Sequence, residues 1–276
     1  MGWQGHLQLN YRHDGATTTA HDRHHGPLRV LQRLYPEGPG ICHHVLVHPP
    51  GGIVGGDTLD IDLHLAEGSH AVITSPGATR FYRSAGEPAV QTLRARLDEG
   101  TRLEWLPLET IAHSGCLGEN HLRFELAPGA QMLGWDVLAL GLPASGEAFD
   151  RGRFTQHIAL PGRWLERGVI DAQDHRLLHS PLGLAGHTVM GTLWFASGTP
   201  WSDIEREALI DAAREAVAAH PLARTAGVTA PNDGTLVLRA LAHRVEPLMN
   251  LLAQVRGCWR SLGWSLTAQP PRIWRT

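Results

Sequence analysis

Lysine is absent: all 24 basic residues of the 276-residue chain are arginine. That removes a Walker-type phosphate loop, Schiff-base chemistry and a lysine general base, and arginine cannot substitute because it stays protonated. Cysteine is scarce. Cys42, Cys116 and Cys258 are widely spaced with no Cys-x-x-Cys pair, which argues against a zinc ribbon or a dithiol centre and fits a reducing compartment. No run approaches the ~20 apolar residues of a membrane span, and Met1-Gly2-Trp3-Gln4-Gly5-His6 lacks an apolar leader segment. The expectation is a cytoplasmic protein with no membrane role. A net charge of -3 without a basic stripe leaves no electrostatic case for nucleic acid. Neither Gly-x-Ser-x-Gly nor His-Glu-x-x-His occurs, so no motif argues for an enzyme.

What is present is organised around Pro49-Pro50-Gly51-Gly52-Ile53-Val54-Gly55-Gly56-Asp57. The prolines withhold backbone donors and the glycines admit positive φ and close approach, so the stretch reads as a tight corner. The following segment is strand-like, which leaves no helix N-terminus for a phosphate. Leu59, Ile61, Leu63 and Leu65 alternate with Thr58, Asp60, Asp62 and His64, predicting a half-buried strand. Its polar row reads either as a solvated face or as oxygen and nitrogen donors for a divalent cation. Short strands recur at residues 41–48, 70–75, 91–97 and 121–126, separated by Pro76-Gly77, Glu99-Gly100 and Pro128-Gly129. The expected fold class is mainly β, as a sandwich, barrel or stacked-coil body over residues 1–200.

Histidine is frequent, at 18. His21-Asp22-Arg23-His24-His25 reads as a solvated loop, because Gly26-Pro27 follow and nothing upstream is helical. His44 and His48 share a face of an extended chain but stand ~13 Å apart, too far to share an ion. Glu104 and Glu109 sit among large apolar residues, and Glu147 between small and apolar ones. Each needs a partner, with Arg80, Arg83 and Arg151 as candidates. One arrangement of His43, His44, Asp57 and His64 would suit a metal-dependent hydrolase on a sandwich or cupin-like body.

Texture changes at Trp201. Ser202-Asp203-Ile204-Glu205 is a capping box opening a helix that should stop before Pro221. Leu238, Leu241, Val245, Leu248, Leu252, Val255 and Trp259 follow at steps of three and four, predicting a second helix that Pro247 would kink or split. Residues 201–276 are therefore expected to be a helical portion, ending in the extended tail Pro270-Pro271-Arg272-Ile273-Trp274-Arg275-Thr276.

Several of these stretches together resemble the urease accessory protein UreD family. They are His48 through Asp57, Arg80-Phe81-Tyr82-Arg83-Ser84, Leu103 through Ile111, Gly141 through Glu147, and Pro271-Arg272-Ile273-Trp274, in the family's order. Leu142 departs from an expected arginine, and Ser75-Pro76 from Thr-Gln. The resemblance implies a single domain with a β-helical, solenoid-like body and two helical elements. It implies a non-catalytic chaperone that binds the urease apoprotein and accessory proteins F and G, with a dimeric arrangement within that complex. It further implies no tightly bound cofactor, Ni²⁺ in transit through an internal passage, and GTP hydrolysis left to the G partner. Asp57, Asp60, Glu109 and Glu147 are the carboxylates expected to line that passage, being next to the glycine corner or inside the matched stretches.

Overall fold

Alternation decides where the strands lie. In β5 (Thr58–Leu65) every second residue, from Leu59 to Leu65, is buried, and the residues between are half-buried. The same period of two runs through β8 (Ala89–Leu97), β11 (Leu117–Leu126) and β13 (Arg153–Leu160). A computed structural model of the chain describes residues 2–142 and 145–275. Pro143 and Ala144, inside the matched stretch 141–147, and Thr276 in the tail lie outside the described residues, as does Met1.

The chain winds in coils. β5, β8, β11 and β13 lie parallel in a seven-stranded sheet. Between them the chain crosses to β4 (Ile41–Val47), β6 (His70–Thr74), β9 (Arg102–Leu106) and β12 (Gln131–Leu140), parallel in a facing ten-stranded sheet. The result is a mainly β, solenoid-like stack. At one end the crossings are tight turns in which Gly68, Gly100 and Gly129 take φ of 72°, 66° and 75°. At the other end they are four long corner loops, residues 48–57, 75–88, 107–116 and, among the described residues, 141–142 and 145–152. These loops hydrogen-bond one to the next: Ile53 N–H to Arg80 O at 2.7 Å, Thr79 N–H to Glu109 O at 2.9 Å, and Gly141 N–H to Ala112 O at 2.8 Å. Short strands β7 (Thr79–Phe81) and β10 (Thr110–Ala112) extend this pairing.

β1 (Gln4–His13) and β2 (Thr18–His25) close one side of the seven-stranded sheet, β3 (Arg29–Val30) pairs with β4, and β14 (Trp164–Asp171) forms the opposite edge. The expectation of a loop at His21–His25 is corrected here. These residues pair antiparallel with β1, with Asp22 opposite Leu9, and they are polar because an edge strand exposes them.

After the short helix α1 (His175–His179) come β15 (Val189–Ser197), α2 (Asp203–Ala218), β16 (Ala226–Asn232), β17 (Thr235–Ala242) and α3 (Val245–Trp264). α2 carries the expected capping box, Ser202 accepting from Glu205 N–H while the Glu205 side chain accepts from Ser202 N–H. Leu238 and Leu241 do not belong to a helix. They lie in β17, between β15 and β16, where Leu236, Val237 and Leu238 are all buried; a strand covered on both faces shows no period, so its leucines blended into the helical stripe that follows. Pro247 is the third residue of α3, where a missing N–H costs no helical hydrogen bond, and the helix runs on to Trp264.

Two apolar cores result. One fills the space between the sheets, and the other joins the ten-stranded sheet to α2 and α3, with Trp135 and Trp259 fully buried. Within the second core Glu104 is fully buried. It accepts from Arg256 Nε at 2.7 Å and Arg260 Nε at 2.9 Å, and lies 3.2 Å from His70 Nε2. Arg80, Arg83 and Arg151, the partners expected from sequence, sit in the corner loops instead. Glu104 is on the face of β9 that meets α3, opposite to Leu103 and Trp105. Burial alone would raise its carboxyl, but Arg256, His70 and Arg260 together hold it well below the usual carboxylate range. The tail docks as expected: Trp274 donates from Nε1 to Thr74 Oγ1 at 2.8 Å, and its ring meets Trp135 at 5.1 Å.

Candidate functional site

Three neighbouring parallel strands place a carboxamide at one register. Gln91 on β8 is the Cα partner of Asn120 on β11, which is the partner of Gln156 on β13. Each occupies the phase that elsewhere buries apolar groups such as Leu93, Leu122 and Ile158, so all three point between the sheets. From the facing sheet β12 brings Asp136, only 5% exposed. Gln91 Nε2 donates to Asn120 Oδ1 at 3.1 Å, Asn120 Nδ2 donates to Asp136 Oδ1 at 3.0 Å, and Gln156 Nε2 donates to Asp136 Oδ2.

This carboxylate has amide donors and no cationic partner among the described residues. Burial pushes its pKa up to about 7, the nearby Glu166 charge adds to the rise, and the hydrogen bonds from Gln156 and Asn120 offset part of it. Glu166, on β14, itself accepts from Thr192 Oγ1 at 3.0 Å and from Arg239 Nη2 at 2.6 Å. At the other end of the row, Gln91 lines a cavity of about 170 Å³ under the glycine corner, shared with His48, Gly52, Ser75 and Arg80. A file of polar groups thus runs between the sheets from Gln91, at the cavity under the glycine corner, to Asp136, with Glu166 nearby on β14.

Chemically, a carboxyl poised near neutrality can exchange its proton for a divalent cation. Carboxylate and carboxamide oxygens release such an ion more readily than thiolates. The buried thiols of Cys42 and Cys116 are pushed up by burial to about 11, so they stay protonated and do not compete.

The carboxylates expected from sequence fall as follows. Asp57 is buried and closes the glycine corner, its Oδ1 accepting from Trp3 N–H at 2.6 Å and its Oδ2 from Val54 N–H at 2.9 Å. Glu109 lies in the third corner loop with its side chain half-buried, and Glu147 in the fourth, 3.3 Å from His113 Nδ1. Asp60 is on the outer face of the seven-stranded sheet, held by Arg94 at 2.9 Å. Asp57, Glu109 and Glu147 therefore share the corner end, in the first, third and fourth loops, and Asp60 stands apart from them. His43, His44 and His64 are not brought together with Asp57: they bond to Glu37 at 2.9 Å, Tyr11 at 2.8 Å and Asp98 at 2.8 Å. Among the described residues no group of three or more His, Cys, Asp or Glu is arranged around a common ion position.

Asp136 was missed by motif reading, yet a signal existed. It is the lone charge in the run Met132–Leu140, and Asn120 and Gln156 each interrupt an apolar phase.

A sequence model of the family described as UreD urease accessory protein matches residues 4–275. The chain belongs to that family. Similar UreD proteins include those of Leptothrix cholodnii, 65% identical with all of both chains covered, and Variovorax paradoxus, 59% identical with all of both chains covered. The protein of Methylibium petroleiphilum is 59% identical over the whole of both chains. All three carry the name urease accessory protein UreD. Four stretches that resemble the UreD family, residues 48–57, 80–84, 103–111 and 141–147, reach the four successive corner loops. The end of the solenoid with the matched motifs is thus also the end where the polar file opens under the glycine corner.

Proposed function

We propose that this chain is a urease maturation chaperone that engages the urease apoprotein together with accessory proteins F and G in the cytoplasm. In this reading Ni²⁺ passes along the polar file between the sheets without being held tightly. Membership of the UreD family implies a role in urease maturation, and among the described residues no helix is long and apolar enough to cross a membrane. The observation that carries the finer reading is the in-register row Gln91, Asn120 and Gln156 converging on Asp136. A buried carboxylate without a cation is expensive to keep for stability alone, whereas a passing ion needs oxygen contacts weak enough to release it. Asp57, Glu109 and Glu147 stand at the corner end, where an ion would enter or leave, and Asp60 lies off this line.

The test is urease activation by Asp136→Asn and Asp136→Ala chains co-expressed with the urease subunits and accessory proteins. Urease activity and nickel per active site are the readouts, with co-purification of the partners as a control. Loss of both readouts with intact complexes is the expected result. Full nickel loading by both variants would remove Asp136 from the path.

A further inference from the structure

Among the described residues, β14 and β2 end the strand order of one sheet, and β16 and β3 that of the other. Three of these edges are blunted against further pairing. β3 has only two residues, β16 carries Pro231 and slips register between Thr229 and Asn232, and β2 presents polar and ionisable side chains from His21 to His25. β14 differs. Its eight residues contain no proline, and they pair with β13 from Trp164 to Asp171 without a bulge. Leu165 is 59% and Val169 52% exposed, with Arg167 exposed between them.

The backbone of the same three residues faces the free side. Ala172 N–H bonds Gly152 O at 3.0 Å at the end of the ladder. Hydrogen-bonded and non-hydrogen-bonded pairs alternate along an antiparallel ladder, so Phe154 with Ile170, Gln156 with Gly168 and Ile158 with Glu166 are the bonded pairs. Leu165, Arg167 and Val169 therefore aim N–H and C=O away from β13, and none of these groups has a hydrogen-bond partner among the described residues. The edge is also positive. Arg167 stands opposite His157, which stands opposite His121. His121 pairs with Glu119 at 3.0 Å and Arg123 with Glu125 at 2.7 Å, whereas Arg167 has no carboxylate partner among the described residues. Partial burial and the positive neighbours His121, Arg167 and Arg123 hold the His157 imidazole below its usual range.

We infer that β14 is a docking edge for an extended segment of a partner protein, one that sets a carboxylate against Arg167 between two apolar residues that meet Leu165 and Val169. Side chains two apart share a face of a strand, so the recognised pattern is apolar, any, acidic, any, apolar. It reads the same in both chain directions. A second copy of this chain does not fit, because antiparallel pairing that matches Leu165 to Val169 puts Arg167 opposite its own copy, where like charges repel. The edge uses no residue of the polar file, so it stands or falls separately from the proposed passage.

The test uses the full-length chain and a synthetic end-capped heptapeptide with valine second and sixth, aspartate fourth and threonine elsewhere. Fluorescence anisotropy of the labelled peptide gives affinity, and amide hydrogen exchange read by NMR gives the position of binding. Val169→Pro removes an edge N–H and no ladder bond, so it blocks the edge while β14 stays paired with β13. Leu165→Lys blunts the edge without touching the backbone, and circular dichroism and thermal melts confirm that each variant folds. The peptide is expected to slow exchange at the N–H groups of Leu165, Arg167 and Val169, and to lose saturable binding in Val169→Pro. Affinity should fall about five-fold in Arg167→Asp, and equally for a peptide with arginine in the fourth place, and return when the two are combined. Absence of saturable binding to wild type would overturn the proposal. So would unchanged affinity in folded Val169→Pro or Leu165→Lys, or a charge exchange that restores nothing.

Discussion

Glu104 accepts a hydrogen bond at 2.7 Å from Arg256, 152 residues further along the chain, and this contact fastens α3 to β9. Arg260 joins the same carboxylate while reaching Glu37 at 2.7 Å. Arg256 and Arg260 also donate to the carbonyls of Gln269 and Thr267, so one buried acid organises the helix and the tail together. Glu104→Gln leaves two buried guanidiniums short of their counter-charge, and the expected loss of stability is about 3–5 kcal/mol, read as a lower urea midpoint. Because the folded carboxyl is depressed, its contribution is present above the unfolded value of ~4.3 and is lost as pH falls toward the folded value. Wild type should therefore lose stability below that pH more steeply than Glu104→Gln.

Asp136 predicts the opposite sign. Its folded pKa is raised from 3.8 to about 7, so the folded state holds the proton more tightly than the unfolded chain. The stability linked to this group is fully present below the unfolded value and is lost as pH rises through about 7. Asp136→Asn keeps a side chain of the same shape and carries no charge. Its melting temperature relative to wild type should climb as pH rises from 3.8 to about 7 and level off above that, and a pH-independent difference would show that the carboxyl titrates normally.

Much of the fold was legible because half-buried strands announce themselves by alternation. β5, β8 and β11 show it plainly, and the capping box at Ser202 fixed the start of α2. β17 was not legible, because a strand buried on both faces looks like part of a helix when a true helix follows. β2 was masked by its edge position, which admits the polar residues of a loop. The site divides the same way. The glycine corner and the carboxylates of its neighbouring loops stood out as motifs, but Asp136 depends on pairing between strands far apart in sequence. Only the register that aligns Gln91, Asn120 and Gln156 gives that aspartate its environment.

The glycine corner should tolerate no added carbon at Gly55. A Cβ there would stand 2.6 Å from the backbone oxygen of Glu87 and 2.3 Å from Ser84 Oγ. Backbone cannot step aside as a flexible side chain can, so the first corner loop would have to part from the second. Gly55→Ala is expected to cost about 1–3 kcal/mol in thermal or urea unfolding. Gly51→Ala meets no atom within 4 Å, but its φ of 75° makes it a test of backbone strain alone.

Asp57 and Glu147 lie at the same end of the solenoid, yet their replacements should behave differently. Asp57→Ala strips the acceptors from Trp3 N–H and Val54 N–H in a part-buried turn, which should cost about 1–3 kcal/mol in all. A failure of that variant to support urease activation would therefore report a damaged corner before it reported lost cation handling. Glu147 is 57% exposed on its side chain and, among the described residues, its carboxylate pairs with His113, so Glu147→Ala should change stability by less than about 1 kcal/mol. That makes Glu147 the cleaner probe. With the melting temperature unchanged, reduced nickel per urease active site would assign Glu147 to the ion's route at the corner end, and normal nickel loading would exclude it.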